Sequence, residues 1–272
     1  MRGWMTSVLL IVGIGVMFAG SDRKGSGTRS VSTSGAGVAV SGDPWVAERN
    51  PAGLADLTSF QFGVCYMPQL YGLSELKTIG GVATAPLANG GLGLVVERFG
   101  YDLYQETEAS LSWGFRTVHG INAGVSVGLQ DLTIARYGNG IRWTVGCGVL
   151  ARITQDAALG VSVQNAASTT LGVRGDRLPT VVLLGACWRP MKGLLVAPAM
   201  EKDLRYPLSV RIGVEQELLG VLALRGGLST EPDELSAGIG VHWSGLEFGY
   251  AGFRHPDLGW SHQIDMIFTL EN

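Results

Sequence analysis

Between residues 205 and 270, apolar and polar positions alternate in segments of about ten residues, separated by two to seven turn residues. Leu208, Val210, Ile212 and Val214 take one parity, while Ser209, Arg211, Gly213 and Glu215 take the other. Leu222, Leu224 and Leu228 alternate with Ala223, Arg225, Gly227 and Ser229. Leu235, Ala237, Ile239, Val241 and Trp243 alternate with Ser236, Gly238, Gly240 and His242, and Ile264, Met266, Phe268 and Leu270 close the series. Successive side chains of a strand point to opposite faces, so each segment carries one oily face and one polar or glycine face. Soluble strands average about five or six residues, whereas strands of about nine to eleven with one oily face suit a tilted bilayer span. The pattern predicts an all-β fold: a closed antiparallel transmembrane β-barrel preceded by an N-terminal plug segment.

Extended upstream, the pattern gives fourteen candidate strands at 59–66, 75–85, 91–99, 103–115, 119–130, 139–151, 156–165, 178–189, 193–202, 206–217, 220–229, 234–243, 245–253 and 261–270. An even number places both termini on the periplasmic side, with short turns there and longer connections outside, the longest at 166–177. In this register Leu222, Leu224, Ile239, Val241, Ile264 and Met266 face lipid. Arg211, Glu215, Arg225, His242 and Asp265 face the lumen, whose parity reads as glycine and charge. Trp113, Trp188 and Trp243 fall at inner strand ends. Tyr66, Tyr71, Tyr101, Tyr104, Tyr137, Trp143, Tyr206, Tyr250 and Trp260 fall near outer ends, as two aromatic girdles would require.

Composition narrows the class. Only 16% of the 272 residues are charged, 46% are hydrophobic and 41 are glycine. Past the N-terminus there is no apolar run long enough for a helical span. A net charge of −3 without a dense basic cluster argues against a nucleic-acid partner. Residues 1–21 read as a signal peptide, with Arg2, an apolar Val8–Phe18 stretch and Ala19-Gly20-Ser21 as cleavage site. Residues 22–58 read as a flexible N-terminal and plug segment, and 59–272 as the barrel of a bacterial outer membrane. The stretch 22–42 is rich in Ser, Gly and Thr, and 43–58 breaks the alternation with two prolines and a short helix around Trp45–Arg49.

Candidate chemistry is sparse. Cys65, Cys147 and Cys187 are odd in number and widely spaced, which suits wall residues better than a disulfide framework or a metal site. Ser261, His262 and Asp265 superficially suggest a hydrolase, but neighbours on a strand face opposite ways, so Ser261 and His262 cannot meet. Gly90-Gly91-Leu92-Gly93 leads into a strand where a phosphate loop would lead into a helix. No catalytic residue, metal site or cofactor is expected. The lumen charges either pair across the interior as filler or touch a plug or ligand path.

Asp43-Pro44-Trp45 followed by Asn50-Pro51-Ala52-Gly53-Leu54-Ala55 resembles the entry motif of PorV/PorQ-like outer-membrane proteins, which are similar to the long-chain fatty-acid transporter (FadL-like) barrels. Thr33–Ala39 fills their glycine-rich slot, and Glu201–Leu204, Leu208–Glu215, Leu224–Thr230 and His255–His262 resemble their later strands. Arg49 stands where that pattern has an aromatic or apolar residue. The resemblance implies that Asn50, Pro51, Ala52 and Gly53 form a plug motif at the periplasmic mouth. It implies first a non-enzymatic, secretion-associated (type IX-like) partner of exported proteins. A FadL-like passage for hydrophobic small molecules and a structural wall protein in outer-membrane lipid are the alternatives.

Overall fold

The computed structural model describes residues 26–117, 119–171 and 179–270, so the signal peptide expected at 1–21 lies outside the described residues. Fourteen strands follow one another: β1 Phe60–Met67, β2 Thr78–Leu87, β3 Gly90–Tyr101, β4 Tyr104–Arg116, β5 Ile121–Ile134, β6 Gly138–Arg152 and β7 Ala157–Leu171. They continue as β8 Val181–Met191, β9 Leu194–Asp203, β10 Ser209–Leu218, β11 Leu222–Ser229, β12 Glu234–Trp243, β13 Leu246–His255 and β14 Gly259–Leu270. Each pairs antiparallel with its sequence neighbours, and β1 closes onto β14 from Phe60↔Leu270 to Tyr66↔Ile264. Closure leaves no open edge, so each span satisfies its backbone groups within the wall, as hydrocarbon requires. We call the end where β1 starts the inner mouth and the opposite end the outer mouth.

The inner connections are tight. Ser244 and Gly245 join β12 to β13 with φ of 47° and 82°, the paired positive values of a type I′ turn that matches the right-handed strand twist. Outside, Leu224, Val241 and Ile264 are 44%, 39% and 52% exposed, whereas Arg225 and Asp265 are each 6% exposed within the lumen. An apolar band around a closed barrel with charges on its inner face is stable in lipid and costly in water.

Three features depart from the sequence pattern. Strand β7 runs on to Leu171, into the span expected to be the longest outer loop, while other strand ends move by at most four residues. Residues 26–42, expected to be flexible, pack inside the barrel and include the helix α1, Thr28–Ser32. Small hydroxyl side chains and glycines let this backbone lie against the wall and bond to it. A second helix, α2 at Val46–Arg49, and a 3-10 helix at Pro51–Asp56 follow. Tyr71 and Tyr104 leave the expected girdle for the inside of the outer mouth. There Tyr71 meets Phe253 edge-on at 6.0 Å and its N–H donates to Ser261 Oγ at 2.7 Å.

Val127 lies at the middle of β5 on the outer face, and Ser110 of β4 borders open lumen. Val127→Arg should lower stability by about 2–4 kcal/mol in equilibrium unfolding from lipid vesicles, and Ser110→Arg by clearly less. Equal losses would contradict the assignment of faces. Ser236→Arg is no mild control, because Ser236 Oγ contacts Ser34 Oγ and donates to Ser32 O, each at 2.8 Å.

Candidate functional site: the lumen and the segment inside it

Residues 26–57 turn around the interior. Helix α1 lies against β11–β14, residues 33–40 cross β10, β8 and β7, and residues 50–56 cross β6 to β3 at the inner ends before β1 begins. Along this path the wall presents glycine. A Cβ added at Gly91, Gly93, Gly114, Gly124, Gly148, Gly160, Gly185, Gly213, Gly227, Gly238 or Gly249 would come under 3.0 Å from an atom of the segment. Examples are Ala47 Cβ at 2.6 Å from Gly93 and Val38 O at 2.5 Å from Gly160. Gly91 and Gly93, which mimic a phosphate loop in sequence, serve this close approach.

The Asn-Pro-Ala-Gly string sits at the inner ends of β4–β6. Asn50 Oδ1 accepts the Ala52 N–H at 3.2 Å, which caps the 3-10 helix, and Pro51 fills its first position. Asn50 Nδ2 donates to Val38 O at 2.8 Å and to Val149 O at 3.3 Å, tying two turns of the segment to β6. Asn50 and Ala52 are fully buried, and Gly53 admits Val46 where a Cβ would collide. Arg49 is buried too, its guanidinium over Gly37.

Charge anchors the other end. Arg29 of α1 holds Glu215 at 2.6 and 2.8 Å and reaches Asp43 at 3.4 Å. Glu215 also binds Arg225 at 2.7 Å, Arg225 binds Glu247 at 2.7 Å, and His242 Nε2 lies 3.0 Å from Glu247. Asp265 accepts the Thr28 N–H and hydroxyl at 2.7 and 2.8 Å, and Arg211 spans Glu201 and Ser34 O at 2.7 and 3.2 Å. Thus Arg211, Glu215 and Asp265 bind the segment directly, Arg225 does so through Glu215, and His242 meets only Glu247 among these. Sequence reasoning passed over Arg29, and it read Asp43 only as part of the entry motif, not as an ion-pair partner. The available signal was Arg29 standing alone as a charge within residues 25–42, which are otherwise rich in Ser, Gly and Thr.

The lumen also has an apolar side that the sequence reading missed. At the outer mouth Val31, Met67, Leu70, Phe99, Ala251 and Phe253 pack together. Deeper, Trp45, Val46, Leu54 and Leu57 pack on Cys65, Val82, Val95 and Ile267. The two clusters follow β1–β3, β13 and β14 from one mouth toward the other. Above the segment a cavity of about 460 Å³ opens outward. Glu48, Glu97, Glu108, Glu201 and Arg211 border it, and Val31, Tyr71 and Val95 bring both apolar clusters to its edge.

The other candidates come apart in space. Ser261 and Asp265 point inward, while His262 is outside, bonded to Tyr250 Oη at 2.7 Å. Cys147 is exposed on the outer wall, Cys65 and Cys187 are buried, and all three are free thiols. Among the described residues no cluster of His, Cys, Asp or Glu has the makings of a metal site.

No protein-family model matches the chain, and no curated protein sequence matches it. Solved structures share its fold. The Pseudomonas putida toluene transporter TodX superposes with a TM-score of 0.65 at 13% identity, over 91% of this chain and 98% of that one. The Ralstonia pickettii toluene transporter TbuX gives 0.65 at 12%, over 90% and 97%. A Pseudomonas aeruginosa FadL homologue gives 0.60 at 12%, again over 90% and 97%. The fold is therefore that of FadL-like outer-membrane barrels, and no comparison points to PorV or PorQ barrels.

Two outcomes are expected for the seated segment. Asn50→Ala strands buried carbonyls and uncaps the 3-10 helix, and should cost about 1–3 kcal/mol. Gly148→Ala drives a methyl into Asn50 Oδ1 and should cost a similar amount by overpacking. Both should speed proteolysis within 26–57 while leaving the barrel resistant; unchanged cleavage would refute the seating.

The second outcome concerns pH. Burial, followed by the nearby Glu97 charge, pushes the Glu48 carboxyl up to about 7 against the pull of the Ser26 N–H. The seated state therefore holds a proton that the released state gives up. Its contribution is full below the ordinary carboxylate range and is lost as pH rises from about 4.5 to about 7. Amide exchange across 26–57 should quicken over that window in the parent and not in Glu48→Gln.

Proposed function

We propose that this protein is a bacterial outer-membrane channel for hydrophobic small molecules, closed at rest by residues 26–57 acting as a plug around Asn50, Pro51, Ala52 and Gly53. The observation that carries the reading is the apolar side of the lumen. Water-filled barrels present polar interiors, whereas here Val31, Tyr71 and Val95 bring an apolar side to the outer cavity, with Met67, Phe99 and Phe253 buried behind Val31 and Tyr71. The lower course of that side is filled by Trp45, Leu54 and Leu57 of the segment, so passage requires the segment to shift. The even strand number puts both termini in the periplasm, and the segment closes from that side.

Likeness of fold to barrels described as toluene transporters agrees with this reading, although fold alone does not assign a ligand. The secretion-partner expectation drawn from the Asn-Pro-Ala-Gly string has no comparable support. In the ten-residue loop 68–77, Leu70 and Tyr71 turn inward onto the Phe253 cluster and Ser261.

Cells producing the parent should take up the hydrophobic probe N-phenylnaphthylamine faster than cells producing Phe253→Glu, with fluorescence rise as the readout. In planar bilayers the parent should be silent to ions and a form lacking 26–57 should conduct. Equal uptake by parent and Phe253→Glu would remove the hydrophobic path, and an equally silent truncation would remove the plug.

A further inference from the structure

We propose that the outer wall around Gly81 binds one phosphate-bearing glycolipid of the outer leaflet, with an acyl chain in an apolar recess and the phosphate on Arg98 and Lys77. This rests on the outer-membrane placement and is independent of what the lumen carries.

The recess, of about 760 Å³, is bordered by Val64, Ile79, Gly81, Val96, Phe248 and Met266. Strand register explains it. One outward row reads Val96–Gly81–Val64–Met266–Phe248 across β3, β2, β1, β14 and β13. Every position but Gly81 carries a large side chain, so the glycine leaves a hollow one strand wide. A Cβ there would meet nothing nearer than Gly63 O at 3.9 Å, so the space is open and the glycine is not required by packing inside the protein.

The next row toward the outer mouth reads Arg98–Ile79–Tyr66–Ile264–Tyr250. Tyr66 and Tyr250 are 41% and 44% exposed on the lipid face, and amphipathic rings lie at headgroup depth. Arg98 stands in the same register row on the outer face, and the hollow lies one row nearer the inner mouth. The Arg98 guanidinium donates to Gln105 Oε1 at 2.6 Å, a neutral partner that leaves its charge in place. Lys77 is exposed just before β2, its carbonyl accepting from the Gly100 N–H at 2.9 Å. The outward positions of β1–β3, β13 and β14 carry no carboxylate, so this face complements an anion. A planar guanidinium matches a phosphate in a bidentate pair, and an ammonium beside it adds a point charge.

Native mass spectrometry of the detergent-purified full chain tests this, with bisphosphorylated lipid A and its dephosphorylated form as probes. One phosphorylated molecule should be retained and the dephosphorylated form held at least about tenfold more weakly. The double change Arg98→Gln with Lys77→Gln should lower retention of the phosphorylated probe about tenfold. Gly81→Leu, which fills the hollow, should abolish it, whereas Ala186→Leu on the outer face of β8 should leave it unchanged. Retention of the compact band in unheated gels confirms folding of each variant. If Gly81→Leu fails to fold, the Arg98 and Lys77 change decides alone. Equal retention of both probes, or retention indifferent to that change, overturns the proposal.

Discussion

An internal chain fits a fourteen-strand barrel only where the wall gives up its side chains. The structure meets that condition with eleven inward glycines spread over ten strands, each leaving no room for a methyl beside the segment. Glycine inside a strand weakens it, through lost packing and greater conformational freedom in the unfolded chain. Residues 26–57 occupy the space these glycines leave and return part of the packing that their missing side chains give up. The segment answers in kind: Ser32, Thr33, Ala47 and Ala52 are small where they touch the wall. The glycine row and the segment's small residues are thus two halves of one steric fit.

Within that fit, direction comes from polar groups and bulk from apolar ones. The chain Asp43–Arg29–Glu215–Arg225–Glu247 fixes where α1 lies and how it is turned. Desolvating so many charges limits what such a network adds to stability, so its effect is chiefly positional. Asn50 does the same at the far end with neutral bonds. Between these anchors Trp45 packs into the apolar side without directional demands, and its indole Nε1 has no partner among the described residues.

The strands were legible because lipid enforces the period-two pattern on the outer face, and parity then separates Leu224 from Arg225. The inside was harder to read. Val95 and Val96, or Ile267 and Phe268, put apolar residues on both parities, which hides an apolar lumen behind an apolar wall. Helix α1 left no hydrophobic periodicity because its sequence, TRSVS, is five residues long and only Val31 of it meets the apolar cluster, the others lying against carboxylates and glycines. The string Asn50–Gly53 marked a structured entry to the barrel, but a capped turn beneath β4–β6 carries no information about cargo. That is why it could not separate secretion from transport, whereas the interior clusters bear on the question.

Every strand of the wall pairs with strands alone, so the segment contributes nothing to barrel closure. Moving it costs only interior contacts. On the charged side, Glu215 and Asp265 left by Arg29 and Thr28 can be solvated by water that fills the vacated space, which softens the penalty of separating them. On the apolar side no such relief exists for water: exposing the surface under Trp45 and Leu54 costs about 25 cal/mol per Å². An oily molecule arriving at Val31, Tyr71 and Val95 changes that balance, because it can cover the surface the segment vacates. A polar solute cannot. On the proposed reading of residues 26–57 as a plug, a segment held by charge on one side and by oil on the other is released most cheaply by a hydrophobic ligand, without a dedicated recognition residue.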